Sequence, residues 1–238
     1  MPNHITNKLK INGSKGLVKK IKEYLKIQYE DGTMVGIDFN KIIPMPKSLD
    51  VESGLLENLS LSTYIIENPT SERKIKKSKD GYFIRDTEEN ILDYLRYHSE
   101  ITYKQLIELG KKYYKNIEDY GYPTWYEWHI NFWGTKWNAY KCDIEDTEDT
   151  IYFLTAWSGV PTLIEMLSYK FPEAEFEYQY ADEDFGNNVG YYIFKNGNKT
   201  EKIIENETPE AYDLACEITQ TTLQDNGLNE NYEYIEEE

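Results

Sequence analysis

Four of the five tryptophans in this 238-residue chain fall within residues 125–138, WYEWHINFWGTKWN, and any fold must find cover for them. An indole carries a large apolar area and an N–H that needs an acceptor once buried. Such a cluster therefore marks the centre of a core or the floor of a binding site. Its surroundings narrow the choice of fold. On the N-terminal side apolar residues recur at helical spacing, and on the C-terminal side they alternate with a period of two.

The two-residue period also opens the chain. Ile5, Leu9 and Ile11 mark residues 4–11 as a strand, and Ser14 is placed to cap a helix whose Leu17, Ile21, Tyr24 and Leu25 share one face. Residues 37–43 read as a second strand, ended by Pro44 and Pro46, which bring no amide to a ladder. From residue 47 to 123 the chain reads as mostly helical, with an exposed loop at 69–81 rich in Lys, Ser and Arg. Thr87 can cap a helix carrying Ile91, Tyr94 and Leu95, and Thr102 with Gln105 forms a capping box for a helix from Tyr103 to about Ile117.

Beyond the tryptophans, Tyr140, Cys142 and Ile144 pair with Ile151, Phe153 and Thr155 as a hairpin around a polar turn at 146–149. Pro161 opens a helix with an apolar stripe of Val160, Leu163, Ile164 and Leu167. A strand follows with Phe176, Tyr178 and Tyr180 on one face and Glu175, Glu177 and Gln179 on the other. Asn196-Gly197 is the two-residue turn of a second hairpin, and Thr208-Pro209-Glu210 starts a final helix reaching about Leu223. The acidic tail beyond Asp225 lacks an apolar face and is expected to fray.

Charge is unevenly distributed. Of the net −17, the 11 acidic residues from Ile203 onward, with no Lys or Arg among them, leave only −6 for residues 1–202. A surface of this sign repels nucleic acid and attracts basic partners, which argues against direct nucleic-acid binding through the short basic run at 73–79. Cys142 and Cys216 are the only cysteines and form no CxxC motif. Reduced thiols in the cytoplasm of a bacterial host are expected, and no apolar run approaches the ~20 residues that span a bilayer.

Several motifs together resemble the YubB-type ferredoxin-like proteins, found mainly on bacterial plasmids and phages. They are Met1-Pro2-Asn3, DFNKIIPMP at 38–46, WGTKWN at 133–138, TAWS at 155–158, YADED at 180–184 and GNNVG at 186–190. Two departures are local: Phe132 separates Asn131 from the WGTKW motif, and Gly159-Val160-Pro161 stands where the family carries a proline pair. The resemblance implies a ferredoxin-like fold over residues 1–46 and 125–195 and carries no settled activity with it.

Candidate chemistry is sparse. Trp133 and Trp137 could stack on a base, a sugar or a partner's side chain, with Lys136 and Asn138 supplying polar contacts and Trp157 nearby; equally, the indoles could cement an insertion to a sheet. Asp182, Glu183 and Asp184 precede a Gly- and Asn-rich loop and offer oxygen ligands. Gly186, however, stands where a calcium loop has another ligand, and no Glu follows at the needed distance. The three histidines, His4, His98 and His129, have no metal-ligand spacing, so no metal or cofactor is expected. His129 reads as a hydrogen-bonded member of the aromatic cluster rather than an acid or base.

The sequence thus predicts an α+β protein. Residues 1–46 and 125–204 would form a ferredoxin-like antiparallel sheet with helices on one face, residues 47–124 a mainly helical insertion, and residues 205–238 an acidic helix and tail. The expected function is a non-enzymatic interaction protein of a mobile genetic element, inhibiting a host defence or nucleic-acid-handling protein by occupying its basic groove. The alternative is a small-ligand- or nucleotide-binding protein or enzyme with its pocket at the tryptophans.

Overall fold

The computed structural model describes residues 3–28, 34–71, 86–144 and 149–235. In chain order the elements begin with β1 (His4–Asn12), α1 (Lys15–Leu25), β2 (Lys26–Gln28), β3 (Met34–Ile37), α2 (Phe39–Ile42), α3 (Leu55–Glu67), α4 (Glu88–Tyr97) and α5 (Tyr103–Tyr120). They continue with α6 (Trp125–Trp133), β4 (Tyr140–Asp143), β5 (Thr150–Ala156), α7 (Pro161–Lys170), β6 (Glu175–Asp182), β7 (Gly190–Lys195), β8 (Asn198–Lys202) and α8 (Pro209–Thr219). Two compact units result: Met1–Pro44 with His129–Glu238, and Met45–Trp128.

The first unit is built on a six-stranded antiparallel sheet of order β4-β5-β1-β6-β7-β8, an α+β arrangement of the ferredoxin-like kind. Alternation puts Ile5, Leu9 and Ile11 on one face of β1, beside Phe153 of β5 and Phe176 and Tyr178 of β6, all at most 1% exposed. Burial of this face in turn needs covering elements. Helix α1, capped by Ser14 Oγ accepting from Leu17 N at 3.3 Å, buries Val18, Ile21 and Leu25. Helix α7 begins at Pro161 and buries Leu163, Ile164 and Leu167, and the Tyr24 ring of α1 meets Phe171 just beyond its end at 5.4 Å.

One β1 residue on this apolar face is polar. Asn7 is fully buried; its Nδ2 donates to Thr155 Oγ1 at 2.9 Å and to the carbonyls of Ile5 and Phe153. Its Oδ1 accepts from Tyr178 Oη at 2.5 Å, and that hydroxyl accepts from Val160 N at 2.6 Å. Three strands and the entrance to α7 are joined through one amide. Burial pushes the Tyr178 phenol well above its ordinary value, so it stays protonated and able to donate.

The opposite face of the sheet is covered by α8. Ala215 and Ile218 of this helix form a small cluster with Ala181 of β6, packed by Leu214, Phe185 and Val189, and Lys8 of β1 reaches Glu217. Thr208 caps the helix as its sequence indicates, its Oγ1 accepting from Ala211 N at 3.3 Å, and Gln220 in the left-handed region ends it earlier than Leu223.

Two expectations are corrected. Residues 37–43 are not one strand: β3 stops at Ile37, and residues 39–42 make a helical turn capped by Asp38, whose Oδ1 accepts from Asn40 N at 3.0 Å. Phe39, Ile42 and Ile43 fit helical spacing as well as strand alternation, and the Asp38 cap decides between them. The tail does not fray over its described part. Leu228 is fully buried and bridges to Tyr234, while the Tyr232 ring stacks on Tyr212 of α8 at 6.0 Å and its hydroxyl donates to Asp213. The cover that the tail cannot provide for itself comes from α8.

In the second unit α3 packs on α5, bringing Leu61 and Ile65 against Tyr113, Tyr114 and Ile117; Leu59, Ile91 and Leu106 form a neighbouring cluster. Thr102 and Gln105 make the capping box, with Gln105 Oε1 accepting from Thr102 N at 2.8 Å. Gly110 lets the two helices touch: a Cβ there would lie 2.0 Å from the Ser60 carbonyl oxygen. The basic run at 73–79 and the turn residues 146–148 lie outside the described residues.

Two substitutions test these contacts. Tyr178→Phe strands Asn7 Oδ1 and the Val160 amide in the interior and is expected to cost about 2–3 kcal/mol in chemical denaturation; a neutral outcome contradicts the network. Gly110→Ala would gain about 1 kcal/mol from helix propensity alone, so a clear loss of stability identifies the close helix contact and a gain refutes it.

Candidate interaction surfaces

The tryptophan stretch divides into buried and exposed parts. Helix α6 ends at Trp133 because Gly134 turns left-handed at φ 77°, its amide donating to His129 O at 3.2 Å. Trp133 is 1% exposed; its Nε1 donates to Ile43 O at 2.9 Å and its ring stacks on His129 at 3.7 Å and meets Phe39 edge-on. His129 Nδ1 bonds Lys136 O at 2.9 Å and therefore carries the proton. Thr135 fastens the loop to β5, donating from Oγ1 to Ala156 O and accepting from Ala156 N.

This clamp sends Lys136 and Trp137 to the surface beside Trp157. The Lys136 ammonium lies 4.7 Å from the Trp137 ring centre and 5.3 Å from that of Trp157, a cation held between two indoles. Trp137 and Trp157 are 36% and 41% exposed. Trp157 also holds φ at +69°, a conformation costly for a bulky residue, fixed by its amide donating to Asn3 O at 2.9 Å. Asn138, in contrast, is committed to structure: its Oδ1 accepts from Phe39 N at 2.8 Å.

The acidic loop after β6 divides in the same way. Asp182 is buried, its Oδ1 accepting from Asn3 Nδ2 and Asp184 N and its Oδ2 from Asn188 Nδ2 at 2.8 Å. Its lone pairs organise the loop. Gly186, at φ 84°, allows Tyr212 of α8 to approach so closely that a Cβ would sit 2.2 Å from its ring, so this glycine serves packing where a calcium loop would place a ligand. Glu183 and Asp184 face solvent. Among the described residues no three His, Cys, Asp or Glu side chains are grouped to hold a metal ion.

A third surface gathers residues that the candidate set omitted. On the second face of the sheet, Glu177 and Gln179 of β6, Tyr191 of β7 and Lys202 of β8 form the floor of a groove of about 640 Å³; Glu210, Asp213, Leu214 and Glu217 of α8 form its wall. Tyr191 Oη donates to Glu177, and the carboxylates of Glu177, Glu217 and Glu175 add to burial in raising the Tyr191 phenol. The Cys216 thiol is raised too, by burial first and then by Asp213 and Asp225. Strand alternation already assigns Glu177 and Gln179 to this face. The small apolar positions Ala211, Ala215 and Ile218 on the last helix are the signal that something covers it.

Residues 136–222 match a family model described as the ferredoxin-like domain in Api92-like protein. That span includes Lys136, Trp137, Trp157 and the whole groove. Among solved structures the chain is similar to the protein Api92 from Yersinia pseudotuberculosis, with 10% identity, a TM-score of 0.41, and coverage of 86% of this chain and 99% of that one. No curated protein matches the chain.

The strain at residue 157 can be measured apart from its indole. Trp157→Gly is expected to be more stable than Trp157→Ala by about 1 kcal/mol, since only the backbone preference separates them. Equal stability of the two variants would mean that the left-handed geometry does not hold in solution.

Proposed function

We propose that this chain is a protein-binding module that docks an acidic face onto the basic surface of a partner, occupying the place of phosphates and doing no chemistry there. The observation that carries the reading is the convergence of Glu177, Glu210, Asp213 and Glu217 on one groove. The strands and helix fix the backbone from which these carboxylates project, so docking orders side chains without ordering chain. Asp182, held by Asn3 and Asn188, is not part of the docking face, and Glu183 and Asp184 are exposed but do not line the groove.

A bacterial cytoplasm and a mobile genetic element are the proposed setting, and a host defence or nucleic-acid-handling protein the proposed partner. The motif resemblance and the segregated charge support this. No helix among the described residues is long and apolar enough to cross a membrane. A second reading rests on the exposed Trp137 and Trp157 with Lys136 between them and the strained backbone of Trp157: a stacking ledge for a planar ligand.

Capture of partners at two salt concentrations separates these readings. The docking reading expects a partner retained at physiological salt and lost near 1 M, where the screening length falls from about 8 Å to about 3 Å. It expects the same loss when Glu177, Glu210, Asp213 and Glu217 become amides, and retention by a Trp137→Ala, Trp157→Ala double variant. A partner that ignores salt and the amide variant but is lost with the tryptophans overturns docking in favour of the ledge.

A further inference from the structure

We infer that the second-face groove is an arginine-anchoring site, in which the buried amide of Gln179 and the carboxylate of Glu177 receive a guanidinium from an extended basic segment of the partner; this rests on the docking reading above. The anchor is the floor of the groove. Gln179 is 5% exposed, lines the cavity, and its Oε1 finds no hydrogen-bond partner in the protein among the described residues. An acceptor removed from bulk water and left unpaired costs about 1–3 kcal/mol, so the site is poised for a donor.

The groove's charge and sheet register specify that donor. Lys8, Gln179, Tyr191 and Lys202 lie in one cross-strand row over β1, β6, β7 and β8. Each flanking lysine is tied to the helical wall, Lys8 to Glu217 and Lys202 to Glu210. Neither turns to Gln179. Among the described residues Glu177 and Asp213 accept only from the phenols of Tyr191 and Tyr232 and pair with no cation, although Lys10 stands opposite Glu177 in the β1–β6 register, so two of the groove's four carboxylates have no ion-pair partner.

A cation with several donors fits that remainder. Guanidinium has five N–H donors in a plane, enough to serve the Gln179 amide oxygen and a carboxylate together, and its face can stack on an aromatic ring such as Tyr191. Leu214 and Ile204 line the same groove and offer apolar surface to the methylenes behind it. Lysine, a compact charge with donors not arranged in a fork, matches the pair less well. The volume, about 640 Å³, lies within the roughly 300–1,000 Å³ of specific ligand sites and leaves room for neighbouring residues of the segment.

Fluorescence anisotropy of the full chain with a labelled Arg-Gly-Arg-Gly-Arg peptide, and with its lysine counterpart, tests the assignment. Expected are salt-sensitive binding that favours arginine, a roughly tenfold or greater loss in Gln179→Met and in Glu177→Gln, and a change under about twofold in Glu230→Gln, which removes one charge from the tail outside the groove. Thermal melts accompany each variant, and Glu177→Gln, at a half-buried position, decides the question if Gln179→Met folds poorly. If the peptide binds but both groove variants bind it like the wild type, or Glu230→Gln weakens it as much, the anchor is refuted while docking by the acidic face stands. If the wild type binds neither peptide even at low salt, both readings fall.

Discussion

The hydrogen bond between Asn7 and Tyr178 fixes which way the three central strands β5, β1 and β6 face. A slip of one residue in a strand turns its whole apolar set to the other side, and apolar contacts alone resist such a slip only through burial. The Asn7 amide adds a directional requirement: it must meet Tyr178 on one side and Thr155 on the other, all in the interior. A buried amide in the wrong register would lose several hydrogen bonds at once, so β1, β5 and β6 have a single satisfactory alignment. That alignment sends Gln179 and Glu177 to the opposite face.

From there the architecture follows as a two-sided problem. One side is apolar and aromatic, closed by α1 and α7. The other carries lysines, glutamates and Gln179 and is only partly closed by α8, whose small residues pack near Ala181 and whose acidic residues border the open part. The tail then uses Tyr232 to bind Asp213 and stack on Tyr212, holding the far side of the same helix. The charges of Glu230 and Glu233 are thereby carried on a folded surface. The tryptophan loop is the other fixed projection, clamped by Thr135 to the end of β5.

Much of the fold was legible because it rests on local chemistry. The caps at Ser14, Thr87, Thr102 and Thr208 and the Asn196-Gly197 turn depend on side chains within three residues of the backbone groups they serve. The apolar residues of the helical turn at Phe39 satisfy strand alternation as well as helical spacing, and besides the Asp38 cap the turn is held by Asn138, 99 residues away, which accepts from Phe39 N. Partners 171 residues apart likewise hid the Asn7–Tyr178 bond. Sequence could not separate Trp133 from Trp137 either: the left-handed turn at Gly134 sends one inward and the other outward. Neither the burial of Gln179 nor its unpaired Oε1 is recorded in any single stretch, because its cross-strand neighbours Lys8 and Tyr191 come from distant strands.

Docking by the second face of the sheet, and not by the tryptophan ledge, is what the proposed function requires. The most direct measurement is a nuclear magnetic resonance titration of the labelled full chain with an arginine-rich segment, following side-chain amides and indoles together. Docking on the second face moves the Gln179 side-chain amide together with the backbone of Glu177, Asp213 and Glu217, while the indole signals of Trp137 and Trp157 stay in place. Movement of the two indoles with a stationary Gln179 amide would contradict it.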